Sequence, residues 1–400
     1  MLLKLVFLSL FSNALMAYTF KDAVKIIEEH QSVNIMKKQA QSIAQEGSKQ
    51  SSWGDPVFRV AAKNYPVDGL SDEKTPMTGL EFGIAQKIPL TTKYGNIDDA
   101  YRELSKSRSF EVENKKQELV KTFWEILIDI KKLNEEVSII SENINWIEGI
   151  LKASKQLYRN GKITQQALLE IQIRKAELEA SLSNKNYEVK EQNDRLGYLL
   201  DGQQGELEQK SIPWAFLNRT NKNIEDTKEL SLKSMLDSKK ALLNAAKLDY
   251  VPDLTISLGY TKRSNLDKNG DFVSAMVSFP LPFSDKKTSG YSQAIHEESS
   301  MKYQLENYNR LKKSEESRIK HQIEKVKNEL NILNKKTLRF AENSKKISSK
   351  SYTLGDTSYI ELLQSELKLQ SLLLMRTNLK ALLHKYQVTY KYLVGEKLYE

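Results

Sequence analysis

The chain has no cysteine, which excludes a disulfide framework, a thiolate metal site and a lipid-modified N-terminal cysteine. Histidine is almost as scarce, and His30, His296, His321 and His384 are scattered with no metal-ligand spacing. There is no nucleophile elbow and no phosphate-binding glycine loop. Carboxylates are plentiful but belong to charged helix faces, so no enzyme, metal or cofactor is expected. Proline (8), glycine (16) and aromatic residues (8%) are sparse for 400 residues, which argues against two or three ordinary compact domains and for long helices. No stretch beyond the first 17 residues approaches the roughly 18 uninterrupted apolar residues of a membrane-crossing helix. The net charge is +9, but it is interspersed rather than blocked. The excess lysine reads as solvated helix faces, not as a nucleic-acid surface.

What is present begins with a targeting signal. Met1-Leu2-Leu3-Lys4 gives a short positive start, and Leu5 to Ala17 a largely apolar stretch ending in a small residue. This predicts a secretory signal over 1–17, cleaved after Ala17 to leave Tyr18 first, with an uncleaved anchor as the alternative.

A helical lead-in is expected from about Phe20 to Lys49. Two pairs of alternating segments then stand out. Phe58, Val60 and Ala62 alternate with Arg59, Ala61 and Lys63, and Leu80, Phe82 and Ile84 with Glu81, Gly83 and Ala85. Later, Leu254, Ile256, Leu258 and Tyr260 alternate with Thr255, Ser257, Gly259 and Thr261, and Val273, Ala275, Val277 and Phe279 with Ser274, Met276 and Ser278. Asn269-Gly270 between the last two is a hairpin signal. Such strands reach the about 9 to 11 residues that span a bilayer when tilted, with one apolar face and one small, polar face. Half-buried hairpins of a soluble domain would alternate in the same way. Each pair ends in Pro-Leu, at Ile88-Pro89-Leu90 and Phe279-Pro280-Leu281, where proline stops strand pairing.

Heptads follow each pair. Leu119, Phe123, Ile126, Ile130, Leu133, Val137, Ile140, Ile144, Ile147, Leu151, Ser154 and Tyr158 keep a 4, 3 spacing, which predicts coiled-coil-like packing. Ile319, Ile323, Val326, Leu330, Leu333, Thr337, Phe340, Ser344 and Ile347 repeat it, and Leu372, Met375, Leu379, Leu382, Tyr386 and Leu393 form a last seam. A helix from Asp98 to Tyr158 would rise roughly 90 Å. Both seams end in the same tip: Tyr158-Arg159-Asn160-Gly161 followed by Leu168-Leu169, and Tyr352-Thr353-Leu354-Gly355 followed by Leu362-Leu363. A tight helix reversal needs a residue at ease with positive φ, which Gly161 and Gly355 supply. The chain therefore divides into two repeats, 18–212 and 213–400, each a helix, a strand pair and a long helical hairpin. Four strands cannot close a membrane barrel, whereas three chains would supply twelve.

The signal segment, strand pairs ending in Pro-Leu and doubled Tyr-x-x-Gly…Leu-Leu tips resemble the TolC-type outer membrane efflux protein family over nearly the whole mature chain. The resemblance implies a mainly α fold with a membrane β part: a homotrimer in the outer membrane, joining a 12-stranded β-barrel to an α-helical barrel that extends into the periplasm. It implies a passive channel of a tripartite efflux or export system, docked on a periplasmic adaptor (membrane fusion) protein and, through it, an inner-membrane transporter. It places a periplasmic gate near Glu361 and Gln364, of which only Glu361 is acidic. Three copies of Glu361 would favour cations across a narrow pore. Tyr352 matches a latch tyrosine whose usual acidic partner is replaced by Ala167, with Glu170 as a substitute. Surface residues Lys162, Thr164, Asp356 and Ser358 join Gly161 and Gly355 as adaptor contacts. Hairpin-end packing is the alternative role for Tyr158 and Tyr352. A periplasmic adaptor or a structural coiled-coil envelope protein are the rival readings. The two hairpins and scant β structure disfavour the first, the amphipathic strand pairs the second.

Overall fold

The heptad and alternating patterns both resolve into regular elements in a computed structural model that describes residues 18–202, 207–219 and 224–399. The expected signal segment, 1–17, lies outside them. In chain order the elements are α1 (Phe20–Glu28), α2 (Gln31–Gln50), β1 (Val57–Lys63), β2 (Gly79–Ile88), α3 (Lys93–Arg159), α4 (Gln165–Leu199), α5 (Thr227–Leu248), β3 (Leu254–Arg263), β4 (Phe272–Ser278), α6 (Asp285–Ile332), α7 (Leu338–Leu354) and α8 (Tyr359–Val394). Short 3-10 turns lie at Gln209–Ser211 and Trp214–Asn218, and a π turn at Leu333–Thr337 joins α6 to α7. No helix among the described residues is long and apolar enough to cross a membrane.

The expected single lead-in helix is two. α1 is closed at its start by a capping box, in which Thr19 and Asp22 satisfy each other's backbone N–H. The chain breaks at Glu29–His30 before α2 begins. His30 is buried there, with its ring edge-on to Tyr198 at 5.5 Å.

The elements fall into two units, one of Met1–Asn34, Glu113–Asp226 and Leu311–Glu400, the other of Ile35–Val112 and Thr227–Arg310. In the first unit a core gathers around Trp124, fully buried among Phe20, Phe123, Phe216 and Leu398. Its indole N–H donates to the Leu398 carbonyl at 2.8 Å, the partner a buried Trp requires. The segment after α8 reaches this core because Gly395 turns at φ 85°. A Cβ there would stand 2.8 Å from the Glu225 backbone, so only glycine fits. Lys391 and Glu396, both 4% exposed, pair at 2.6 Å beside it.

In the second unit the four strands form one antiparallel sheet in the order β1-β2-β3-β4. The register sets Val60 opposite Phe82, Tyr260 and Val273, and Phe58 opposite Ile84, Leu258 and Ala275. These rows make one face apolar, as the alternation predicts, and its large side chains are exposed. The opposite face carries Arg59, Gly83, Gly259 and Ser274 in one row and Ala61, Glu81, Thr261 and Phe272 in the next. Small residues also draw the unit's helices together. Ser231, Ser234 and Ser238 are buried along α5, and Ser231 and Ser107 of α3 share a hydrogen bond of 3.0 Å.

Candidate functional site

The two tips, both in the first unit, are built alike. Gly161 (φ 70°) and Gly355 (φ 84°) adopt the left-handed conformation. At the first, Gly161 N–H donates to the Tyr158 carbonyl and Lys162 N–H to that of Leu157. At the second, Gly355 and Asp356 do the same to Tyr352 and Ser351. Both are Schellman closures, which satisfy the last carbonyls of α3 and α7. The return helices start on a hydroxyl three residues past each glycine: Thr164 accepts from Ala167 N–H, and Ser358 from Glu361 N–H. Thr164 and Ser358, expected as surface contacts, are thus the N-caps of α4 and α8. The structure brings the tips together: Lys162 Nζ lies 3.9 Å from where a Gly355 Cβ would stand.

The other expected residues are placed as follows. Glu361 is exposed, in the first turn of α8, and accepts from the Thr357 hydroxyl. A carboxylate there is favoured by the helix N-terminus. Gln364 is exposed one turn on. Glu170 of α4 is half-buried and accepts from Gln166 at 3.4 Å, and its charge acts on Tyr359.

Tyr352 and Tyr158 occupy matching sequence positions but opposite environments. Tyr158 is 42% exposed, whereas Tyr352 is 1% exposed, with its hydroxyl hydrogen-bonded to Ser154 Oγ at 2.7 Å. It packs with Tyr359, Leu362, Ile171 and Ile147. The expected seam through Thr337, Phe340, Ser344 and Ile347 explains neither this burial nor the exposure of Phe340 and Ile347. The π turn at Leu333–Thr337 accounts for both: it inserts one residue into the helical repeat. The seam therefore restarts at Leu338 and Ala341, both buried, and the 3, 4 steps from Ala341 through Lys345 lead to Tyr352. The first seam also drifts near its tip. Ile150 is buried where the heptad expects Leu151, and Leu157 rather than Tyr158 packs inward.

The core beneath the tips also holds charged groups that the heptad pattern does not mark. Glu366 is 0% exposed and neither carboxylate oxygen has a hydrogen-bond partner among the described residues. Arg174 Nη2 is 3.7 Å away, donating instead to Gln370. Burial pushes the Glu366 carboxyl above the usual range, opposed by Arg174 and Lys345. Burial, then the nearby Glu170 and Glu366 charges, push the Tyr359 hydroxyl up to about 12. Burial also lowers Lys345, whose ammonium sits 4.2 Å over the Trp146 ring. A signal did exist: Ile171-Arg174-Leu178 and Leu362-Glu366-Leu369 each place a charge inside an apolar 3, 4 stripe. Among the described residues no group of His, Cys, Asp and Glu is arranged to hold a metal ion.

An open sheet with one exposed apolar face and long paired helices define the fold, and comparison with solved structures finds the same fold. The chain superposes on CusC, whose structures concern folding and transmembrane channel formation, with a TM-score of 0.78 over 97% of this chain and 96% of that one, at 14% identity. The outer membrane protein VceC of Vibrio cholerae matches at 0.77 over 95% and 96%, with 14% identity. The CmeC outer membrane channel of Campylobacter jejuni matches at 0.75 over 95% and 87%, with 12% identity. No family profile and no curated protein sequence matches the chain. The TolC-type resemblance is thus borne out in the fold.

Proposed function

We propose that the chain is a protomer of an outer membrane channel that passively conducts substrates delivered by a periplasmic adaptor and an inner-membrane efflux transporter. The observation that carries this is an open, four-stranded sheet with one exposed apolar face in a fold shared along almost its whole length with outer membrane channels. Backbone edges left open in lipid are costly. Three copies would join β4 of one to β1 of the next and close a twelve-stranded barrel, apolar side to the lipid. The hairpins of the repeats 18–212 and 213–400 would form the periplasmic part. The tips around Gly161, Lys162, Thr164, Gly355, Asp356 and Ser358 would meet the adaptor. Glu361, Gln364, Tyr352 and Glu170 would border the gate.

The test is the mass of the detergent-extracted protein by light scattering, with its envelope fraction. A particle of three chains in the outer membrane supports the channel. A monomer or dimer in the soluble periplasm refutes it and leaves an adaptor or a coiled-coil envelope protein.

A further inference from the structure

The polar face of the sheet carries an unbalanced ionic cluster. Glu81 of β2 is 3% exposed, buried by its own sheet. Arg59 Nη2 of β1 reaches its Oε1 at 3.2 Å, and Lys63 Nζ pairs with its Oε2. Two cations therefore share one carboxylate. The carboxylate lies flat because β2 and β3 provide a glycine floor. A Cβ on Gly259 would stand 3.0 Å from Glu81 Oε1, and one on Gly83 3.8 Å away. The anion is thus sunk against the sheet, while Arg59 and Lys63 keep 54% and 48% of their side chains exposed. The other charged side chains in line with them on this face, Lys87 and Arg263, are also basic; each pairs with an aspartate outside the strands, Asp253 and Asp267.

We infer that Arg59 and Lys63 form a cationic ring that favours anionic permeants in the β part of the channel. This rests on the proposed trimer, in which the polar face lines the pore and the cluster recurs three times, each with one net positive charge. A charge fixed on a pore wall raises the local concentration of ions of opposite sign, and does so more strongly beside a low-dielectric wall. The Arg59 and Lys63 side chains are the charges a passing solute meets, because Glu81 lies beneath them. The substrate class this selects is small molecules with net negative charge, such as carboxylates and phosphates. The ring acts separately from Glu361, whose carboxylate at the tip pulls the opposite way.

The experiment is the chloride-to-potassium permeability ratio of the purified full-length protein in planar bilayers under a KCl gradient. Arg59→Gln and Lys63→Gln should each lower the ratio, by about twofold for one charge removed per protomer across a water-filled pore. Glu81→Gln should raise it, and Arg59→Lys should leave it near the wild-type value. Distortion of the barrel would move the neutral variants in one common direction, so the opposite signs separate charge from structure. A ratio unchanged in both Arg59→Gln and Glu81→Gln, at normal conductance, overturns the inference and leaves the channel intact. Absence of any conductance from the wild-type protein overturns the channel reading itself.

Discussion

Tyr352 and Ser154 show what one polar pair contributes inside a helical seam. A buried hydroxyl pair left half-made costs more than one removed whole. Tyr352→Phe and Ser154→Ala should therefore each lower stability by about 1–2 kcal/mol, and the double variant should cost less than their sum. Thermal unfolding of the four proteins checks this, and strict additivity would mean the 2.7 Å hydrogen bond carries no coupling. Glu366 gives a pH dependence of definite sign. Its carboxyl holds a proton to higher pH in the folded chain than in the unfolded one, because it is buried. Between the unfolded glutamate value, about 4.3, and that raised value the folded state binds more protons, so stability falls as pH rises through this window and then levels. Glu366→Gln should flatten the profile and raise Tm at neutral pH; an unaltered profile would show that Arg174 already neutralises the group. At the tip, Glu361→Gln should reduce the cation preference of single channels. Unchanged selectivity would keep Glu361 as a helix-start residue and remove it from the pore.

At the scale of elements, the π turn decides which residues of α7 are inside. Inserting one further residue directly after Thr337 should turn every later side chain of α7 by about 100°. Tyr352 would leave the core and Phe340 and Ile347 would rotate toward it. Expected outcomes are a lower Tm and a Tyr352→Phe substitution that no longer has an effect in the insertion background. Persistence of the Tyr352 effect there would mean the tip sets the register, not the π turn. This is also where the sequence stopped being legible. Heptads are read by assuming constant pitch, so in the second seam the positions through Leu333 hold, and those from Thr337 to Ile347 fall one residue out of phase. Strand alternation has no such hidden variable: the apolar rows through Phe58, Val60, Phe82 and Leu258 were read directly and match the register. The tip turns were legible because Gly161 and Gly355 have few substitutes at positive φ. The Arg174–Glu366 pair was not, because its two halves lie 192 residues apart and nothing local links α4 to α8.

For the whole molecule, the sheet has a consequence for how the protein is made. β1 and β4 are seven residues each and stand at the two ends of the sheet, each with a ladder of N–H and C=O groups turned outward. A solitary copy is therefore sticky along both borders and greasy across one side, the combination that natural sheets avoid with charge or proline. Here Phe58 and Val60 on one border strand and Val273 and Val277 on the other are exposed instead. Synthesised in a compartment without lipid, the chain should precipitate into β-rich deposits, whereas refolding into detergent micelles should yield soluble particles. Sedimentation with and without micelles checks this, and a soluble, dispersed single chain in plain buffer would contradict it. In the proposed trimer, insertion and oligomerisation would then proceed together, since each would supply what the other's intermediate lacks, and a cell would have to escort every copy until its neighbours arrived.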